Sequence, residues 1–173
     1  MINIPNLLTM LRLLSVPVLA VCLSIDDGTS TLWRDVAAIV FVLASLTDFA
    51  DGALARRWGQ VTRFGRVMDP IADKALVGVA LIGLALLGDL AWWIVVVILV
   101  REIAVTIVRS RVAIPVRGLG KAKTVAQLVA ITMYLAVMPG VPWWQPVAQV
   151  AMAVAVVLTV VTGVLYLRQA VRT

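Results

Sequence analysis

Four aspartates at two short spacings are the residues of this sequence best suited to chemistry. Asp48 and Asp51 lie three positions apart, and Asp69 and Asp73 lie four positions apart. On an α-helix, either spacing places both carboxylates on the same face. A short connection at residues 58–64 would bring two such helices together, and with them the two pairs. The pattern therefore predicts a cluster of four carboxylates.

Such a cluster indicates a metal site. Four ionised carboxylates in a partly dry place repel one another, so a cation must neutralise them. The chain has no histidine and a single cysteine, Cys22, which excludes zinc sites of the usual nitrogen type, an imidazole base and a disulfide framework. Oxygen ligands alone select Mg²⁺, Mn²⁺ or Ca²⁺, and a carboxylate cluster that shares its metals with a substrate phosphate is typical of Mg²⁺ or Mn²⁺. Gly52 would leave the helix surface open for such a ligand to approach.

In a less specific interpretation, the same aspartates are solvated residues at helix ends or ion-pair partners of nearby cations. The cations in question are Arg56, Arg63, Arg66 and Lys74. These roles account well for one aspartate at a helix end. They account poorly for four at these spacings, because charged side chains within apolar spans are costly.

The elements that must position the carboxylates are membrane-spanning helices. Hydrophobic residues make up 62% of the 173-residue chain and charged residues 14%, whereas soluble domains are roughly half apolar. A helix needs about 20 apolar residues to cross about 30 Å of hydrocarbon. Six spans are predicted, at about residues 7–24, 32–56, 67–87, 90–112, 122–138 and 147–167.

We therefore predict an all-α polytopic membrane protein that forms a single domain over residues 1–173. Residues 2–6 are expected to form a short interfacial segment before the first span. That first span is expected to be retained, because it is preceded by no basic region and followed by no small-residue cleavage site. No internal repeat is found.

The loop charges predict an orientation in the membrane. Asp26, Asp27 and Asp89 lie on one side, where Arg34 is balanced by Asp35. The other side carries Arg56, Arg57, Arg63, Arg66, Arg109, Arg111, Arg117, Lys121 and Lys123. Because basic loops stay in the cytoplasm, this side and both termini are expected to be cytoplasmic. The net charge of +6 is then explained by the basic loops that set the membrane topology. No nucleic-acid partner is expected. Four tryptophans at the opposite boundary are expected to be interface anchors, Trp92, Trp93, Trp143 and Trp144.

The stretch that contains the aspartates resembles the CDP-alcohol phosphatidyltransferase family. The family signature is D-x2-D-G-x2-A-R-x8-G-x3-D-x3-D. The sequence matches it at Asp48, Asp51, Gly52, Ala55, Arg56, Gly65, Asp69 and Asp73. Eight fixed positions over 26 residues make a specific match. The six-span layout also resembles that family, so the resemblance covers essentially the whole chain.

The resemblance implies a reaction and a set of roles. Members of the family displace CMP from a CDP-linked lipid by attack of an alcohol on the lipid-proximal phosphorus. By resemblance, two Mg²⁺ or Mn²⁺ ions are bound by Asp48, Asp51, Asp69 and Asp73, and Asp73 is also the base on the acceptor hydroxyl. The CDP-diacylglycerol pocket would include Asn6, Thr9, Gly52, Arg56 and Thr62. A homodimer is also implied. The positive-inside topology and the compact form of the chain predict a bacterial cytoplasmic membrane, with the active site on the cytoplasmic side.

Shorter matches concern the acceptor alcohol. Residues 3–12, Arg101 with Glu102, Arg109, and residues 120–127 resemble members that use sn-glycerol 3-phosphate and form phosphatidylglycerophosphate. This acceptor is a small dianion that needs cationic hosts. We therefore expect its phosphate to be bound by Arg101, Arg109, Lys121 and Lys123. A buried pair of Arg101 with Glu102 could instead be purely structural.

Other acceptors and another class of function stay open. Relatives within the family use inositol phosphate, serine or phosphatidylglycerol, and the additional cations favour a phosphorylated polyol. A small cation transporter would also place acids and arginines in its spans. Such a protein usually has pore acids near mid-membrane and an internal repeat, whereas these aspartates lie toward the cytoplasmic end.

Overall fold

A computed structural model of the protein describes the backbone of residues 4–58, 63–111 and 117–171, and the side chains of residues 7–47, 68–107 and 121–168. Within these ranges the chain forms six α-helices and no strand. The helices are α1 (Ile4–Ser24), α2 (Thr31–Trp58), α3 (Arg63–Leu86), α4 (Trp92–Arg111), α5 (Arg117–Leu135) and α6 (Trp144–Val171). The predicted all-α fold class is confirmed.

Each helix corresponds to one predicted span, with ends that differ by a few residues. The first helix already begins at Ile4, so most of the predicted interfacial segment continues directly into α1. Turns lie between the predicted spans: a 3-10 turn covers Ile25–Gly28, and Gly88 and Gly140 have φ angles of 79° and 86°. Glycine adopts such positive angles without the steric cost of a side chain.

The helices run up and down as a bundle. Helix α1 packs against α2 and α3, α5 packs against α6 and α2, and α4 packs against α6 and α3. We call the end of the bundle that holds Asp69 and Asp73 the aspartate end, and the opposite end, which holds Asp89, the far end. The core between them contains fully buried apolar side chains such as Phe41, Leu81 and Ile131.

The outer surface of the bundle is largely apolar. Large hydrophobic side chains are exposed on every helix, for example Leu14, Leu43 and Val150. Patches of this extent are unusual on monomeric soluble proteins and are suited to contact with lipid. By length and composition, Leu7–Gly28 and Trp144–Arg168 are apolar enough to cross a membrane among the residues described.

The far end is closed by a buried arginine. Arg34, on the first turn of α2, donates from Nη1 to Asp89 Oδ2 at 2.5 Å, from Nη2 to the Tyr134 carbonyl at 2.5 Å and from Nε to the Leu135 carbonyl at 3.2 Å. The Trp144 indole donates to the Ala136 carbonyl at 2.7 Å. The last carbonyls of a helix have no partner within the helix, so these donors satisfy the C-terminal end of α5.

Candidate active site

Helix α3 carries two of the four signature aspartates, and both are half-buried. Asp69 and Asp73 are one helical turn apart on it, as the spacing predicts. The Thr9 hydroxyl of α1 donates a hydrogen bond to Asp69 Oδ1 at 2.5 Å. Thr9 itself is buried, so this contact holds the Asp69 carboxylate in one orientation between α1 and α3.

A buried arginine connects α1 to α2 at the same end. Arg12 lies three residues after Thr9, and its Nε donates to the Ala44 carbonyl at 3.3 Å. Ala44 precedes Asp48 by one helical turn. Arg12 therefore ties the Thr9 region of α1 to the part of α2 that leads into the signature. Arg12 is not among the site residues predicted from the sequence, although a cation within an apolar span is a signal for function.

Several predicted site residues lie outside the described side chains. This is the case for Asn6 on α1, for Asp48, Asp51, Gly52 and Arg56 on α2, for Thr62, and for Arg109 on α4. The described side chains include no group of three or more histidine, cysteine, aspartate or glutamate residues close enough to hold a metal ion. The four-carboxylate cluster therefore stays a prediction.

The described donors nevertheless fit the metals that the sequence predicts. Asp69 and Asp73 offer carboxylate oxygens from one face of α3, and Thr9 orients one of these carboxylates. A ligating carboxylate is usually fixed by a hydrogen bond of this kind. Oxygen donors alone suit Mg²⁺ and Mn²⁺.

A cavity of about 260 Å³ lies beside Asp73, between α3, α4 and α5. This volume is just below the range of about 300–1,000 Å³ that is usual for small-molecule sites. Its polar lining residues are Asp73, Lys74, Glu102, Lys123, Thr124 and Gln127, and its apolar walls include Val77, Leu99 and Leu128. Two carboxylates and two cations thus line one small, partly apolar space.

Lys123 is the predicted acceptor-binding cation that lines this cavity. It is buried on α5, and its ammonium donates to Glu102 Oε1 on α4. Within the described residues, α4 and α5 make no close backbone contact. The Lys123–Glu102 ion pair therefore bridges the gap between the two helices at the edge of the cavity.

The other two described cations of that prediction lie elsewhere. Lys121 is exposed at the start of α5 and is not among the residues that line the cavity. Arg101 faces α6, where its Nε donates to the Thr159 carbonyl at 3.2 Å and its Nη2 donates to Thr162 Oγ1 at 2.7 Å. The predicted roles of Lys121 and Arg101 in acceptor binding stay predictions.

The sequence predicts no site role for four polar lining residues, Lys74, Glu102, Thr124 and Gln127. In the sequence, Glu102 is notable only as the neighbour of Arg101. An acid within a predicted span is itself a functional signal, and it could have singled out Glu102. Gln127 is one helical turn after Lys123 and therefore shares its face of α5.

Comparison with known proteins identifies the same family as the aspartate signature. The family model for CDP-alcohol phosphatidyltransferase matches residues 2–161. A Mycobacterium tuberculosis protein named "Probable phosphatidylglycerophosphate synthase" is 47% identical, over 98% of this chain and 82% of that protein. Proteins named CDP-diacylglycerol–glycerol-3-phosphate 3-phosphatidyltransferase are 37% identical in Rickettsia bellii, over 96% of this chain and 94% of that protein, and 37% identical in Salmonella choleraesuis, over 97% and 94%.

The family model spans the aspartate signature and nearly all six helices, and the relatives align over almost the whole chain. The resemblance inferred from the spacing of Asp48, Asp51, Asp69 and Asp73 is therefore confirmed. This chain belongs to the CDP-alcohol phosphatidyltransferase family.

Proposed function

We propose that this enzyme transfers a phosphatidyl group from CDP-diacylglycerol to sn-glycerol 3-phosphate, with phosphatidylglycerophosphate and CMP as products. One observation carries the proposal: relatives whose names state this activity align over 96–97% of the chain at about 37% identity. The cavity beside Asp73 supports it, because Lys123 supplies a cation there for an anionic acceptor. No observation favours the other acceptors or a cation transporter.

In the proposed reaction, the acceptor hydroxyl oxygen forms a bond to the lipid-proximal phosphorus, and the bond from that phosphorus to the CMP oxygen breaks. Asp73 accepts the hydroxyl proton, and CMP leaves with the electron pair of the broken bond. A carboxylate is a weak base, but it needs to accept the proton only as the new bond forms. Asp73 lines the cavity in which the acceptor would lie, which supports this role.

The proposed metal site consists of Asp48, Asp51, Asp69 and Asp73. Two Mg²⁺ or Mn²⁺ ions bound there would neutralise the diphosphate and the charge that grows on the leaving CMP. Thr9 holds Asp69 in place through its hydroxyl. Asn6, Gly52, Arg56 and Thr62 are proposed to complete the CDP-diacylglycerol pocket, with Thr9 at its edge.

The acceptor phosphate is proposed to lie against Lys123, near the cytoplasmic ends of α4 and α5. Lys121 and Arg109 are proposed to contribute from the same two helix ends. A dianion bound among cations in a partly apolar cavity gains more from each charge-assisted hydrogen bond than it would in water. The burial of Lys123 supports its place as the central cation.

We further propose that all six helices span the bacterial cytoplasmic membrane, with both termini and the active site on the cytoplasmic side, and that the enzyme is a homodimer. Support for six spans comes from the exposed apolar side chains on every helix. The orientation rests on the basic residues near the aspartate end. A lipid donor would then enter the site from the bilayer and a water-soluble acceptor from the cytoplasm.

The test is an acceptor panel with purified protein in detergent. The protein is incubated with CDP-diacylglycerol, Mg²⁺ or Mn²⁺, and either glycerol 3-phosphate, inositol phosphate or phosphatidylglycerol, and CMP release is measured. We expect release with glycerol 3-phosphate. Release with inositol phosphate but not with glycerol 3-phosphate would show that the acceptor is wrong. Ion flux in vesicles without CMP release would support a transporter instead.

A further inference from the structure

The ion pair at the edge of the cavity is part of a longer chain of contacts. Glu102 Oε1 accepts from Lys123 on one side and from Arg101 Nη1, at 3.2 Å, on the other. The side chains of Arg101, Glu102 and Lys123 are 12%, 21% and 7% exposed. One carboxylate oxygen therefore bridges two buried cations.

Arg101 is itself anchored on α6. Its guanidinium donates to the Thr159 carbonyl and to the Thr162 hydroxyl, and it lies 5.9 Å from the ring centre of Tyr166. Gly163 makes room for this arrangement, because a Cβ at that position would lie 3.1 Å from Arg101 Cγ. Arg101 and Glu102 therefore connect α6 to Lys123 at the cavity through an unbroken series of side-chain contacts.

A long, flexible lysine needs such an anchor if it is to hold a ligand. Each lysine side chain loses considerable rotamer freedom when it is fixed, and a buried ammonium without a counter-ion is costly. Glu102 addresses both problems, because it supplies the opposite charge and is held in place by Arg101. Because the backbones of α4 and α5 are not in close contact among the described residues, the side-chain contact between Glu102 and Lys123 links the ammonium to α4.

We propose that Glu102 is a positioning residue that holds the Lys123 ammonium at the cavity for the phosphate of the acceptor, and that Arg101 acts through Glu102 and not on the acceptor directly. This inference rests on the proposed function, in which Lys123 binds the acceptor phosphate. It assigns Arg101 a different role from the direct contact that the sequence predicts. It also makes the acceptor subsite depend on α6, which does not line the cavity.

The test compares steady-state kinetics of the wild type and of Glu102→Gln, a substitution that removes the charge but keeps the size. KM and kcat are measured for CMP release with the acceptor and with CDP-diacylglycerol varied in turn. For Glu102→Gln we expect the KM of the acceptor to rise about tenfold, or roughly 1.4 kcal/mol. We expect the KM of CDP-diacylglycerol to stay unchanged and kcat to change much less than the KM of the acceptor.

Lys123→Met shows whether Glu102 acts through Lys123. Lys123→Met alone should raise the KM of the acceptor, and adding Glu102→Gln should raise it little further, because the positioned group is already absent. Fully additive effects of the two substitutions would overturn the proposal. The matched control is Asp89→Asn, which removes a carboxylate from the Arg34 ion pair at the far end and should leave both KM values unchanged.

A purely structural ion pair would give a different result. Glu102→Gln would then lower the unfolding temperature and leave the KM of the acceptor at the wild-type value, which would overturn the proposal. If Glu102→Gln does not fold, Thr162→Val takes its place, because it removes a hydroxyl that accepts from Arg101. A rise of about two- to threefold in the KM of the acceptor is expected there, at the low end for the loss of one hydrogen bond, because Thr162 acts on Lys123 only through Arg101 and Glu102. An unchanged KM would again overturn the proposal.

The acceptor used by the wild type shows whether the proposed function fails independently of this inference. If the wild type releases CMP with inositol phosphate and not with glycerol 3-phosphate, the named acceptor is wrong. The same variants are then compared with inositol phosphate as the acceptor. A raised KM for that phosphate in Glu102→Gln still supports the positioning role, and an unchanged KM still overturns it.

Discussion

Two groups of buried charge lie at opposite ends of the helix bundle, and they differ in what their charges face. At the far end, Arg34 donates to Asp89 and to two carbonyls at the end of α5. At the aspartate end, Lys123 and Glu102 face a cavity that Asp73 also lines. Charge within an apolar bundle is therefore not sufficient to identify a site. The group at the aspartate end lies beside a cavity that can hold a ligand, whereas Arg34 donates to the last carbonyls of α5 and so completes the fold.

The largest effect is expected at the aspartate end, where loss of Asp73 should lower the activity of the enzyme. Asp73→Asn removes the proposed base and one proposed metal ligand, and we expect turnover to fall by about 10²- to 10⁴-fold, as for the loss of general base catalysis. CMP release measures the fall, and thermal unfolding in detergent is expected to stay near that of the wild type. Asp26→Asn, in the exposed turn after α1, is the control. Full activity in Asp73→Asn would remove Asp73 from the mechanism.

A smaller effect is expected from the residue that orients Asp69. Thr9→Val removes the hydroxyl that donates to Asp69 Oδ1. Loss of such a supporting hydrogen bond typically lowers metal affinity by about 10- to 100-fold, so the Mg²⁺ or Mn²⁺ concentration for half-maximal CMP release should rise about tenfold. Thr132→Val, where the hydroxyl donates to the Leu128 carbonyl within α5, should leave it unchanged. A metal dependence identical to that of the wild type would show that the Thr9 contact does not serve the metal site.

A substitution at the far end should lower the free energy of unfolding and leave the KM values unchanged. Asp89→Asn leaves the buried Arg34 guanidinium without its anionic partner, and we expect the free energy of unfolding to fall by about 1.5 kcal/mol. This is less than the roughly 3–5 kcal/mol for breaking a fully buried pair, because the Asp89 side chain is 32% exposed. Denaturant unfolding measures the change, and Asp35→Asn, at the exposed neighbouring position of Arg34, is the control. A changed KM for either substrate would contradict the division between the two ends.

The smallest effect is expected where α6 meets Arg101. In Gly163→Ala the new Cβ would lie 3.1 Å from Arg101 Cγ, so the arginine must shift by a few tenths of an ångström. We expect Gly163→Ala to be about 1 kcal/mol less stable than a glycine-to-alanine change in a helix without this contact, at the low end of overpacking costs, together with a small rise in the KM of the acceptor.

Gly78→Ala is the matched control for Gly163→Ala. Its Cβ would meet Leu99 Cδ2 at 3.8 Å, an ordinary contact. Because alanine favours a helix over glycine by roughly 1 kcal/mol, stability should be equal or slightly higher there. Equal stability and equal KM in both variants would show that the position of Arg101 is not critical.

The positions of the helices could be predicted well from the sequence. Apolar runs between charged and glycine-containing breaks correspond to α1 to α6, with differences of a few residues at the ends. Some helices continue past the apolar run, as α1 does at Ile4 and α6 does at Val171, and others end before it does, as α5 does at Leu135. Backbone hydrogen bonding, and not hydrophobicity, decides where a helix ends.

The site could be predicted in part. The spacing of Asp69 and Asp73 correctly indicates a shared face of α3, because helical periodicity is a local property. The roles of Arg101, Lys121 and Lys123 could not be separated in this way. All three are cations on the neighbouring fourth and fifth spans, and composition treats them alike.

The sequence by itself determined the family, the six helices and the aspartate signature, because each depends on residue types at short, fixed spacings. The tertiary structure decided which cation reaches the cavity. Lys123 faces Glu102 and Asp73, whereas Arg101 turns toward Thr162 and Gly163 on α6. The physical reason is that the direction of a helix face is set by the helices that pack against it. Those neighbours are distant in the chain and come together only in the folded bundle.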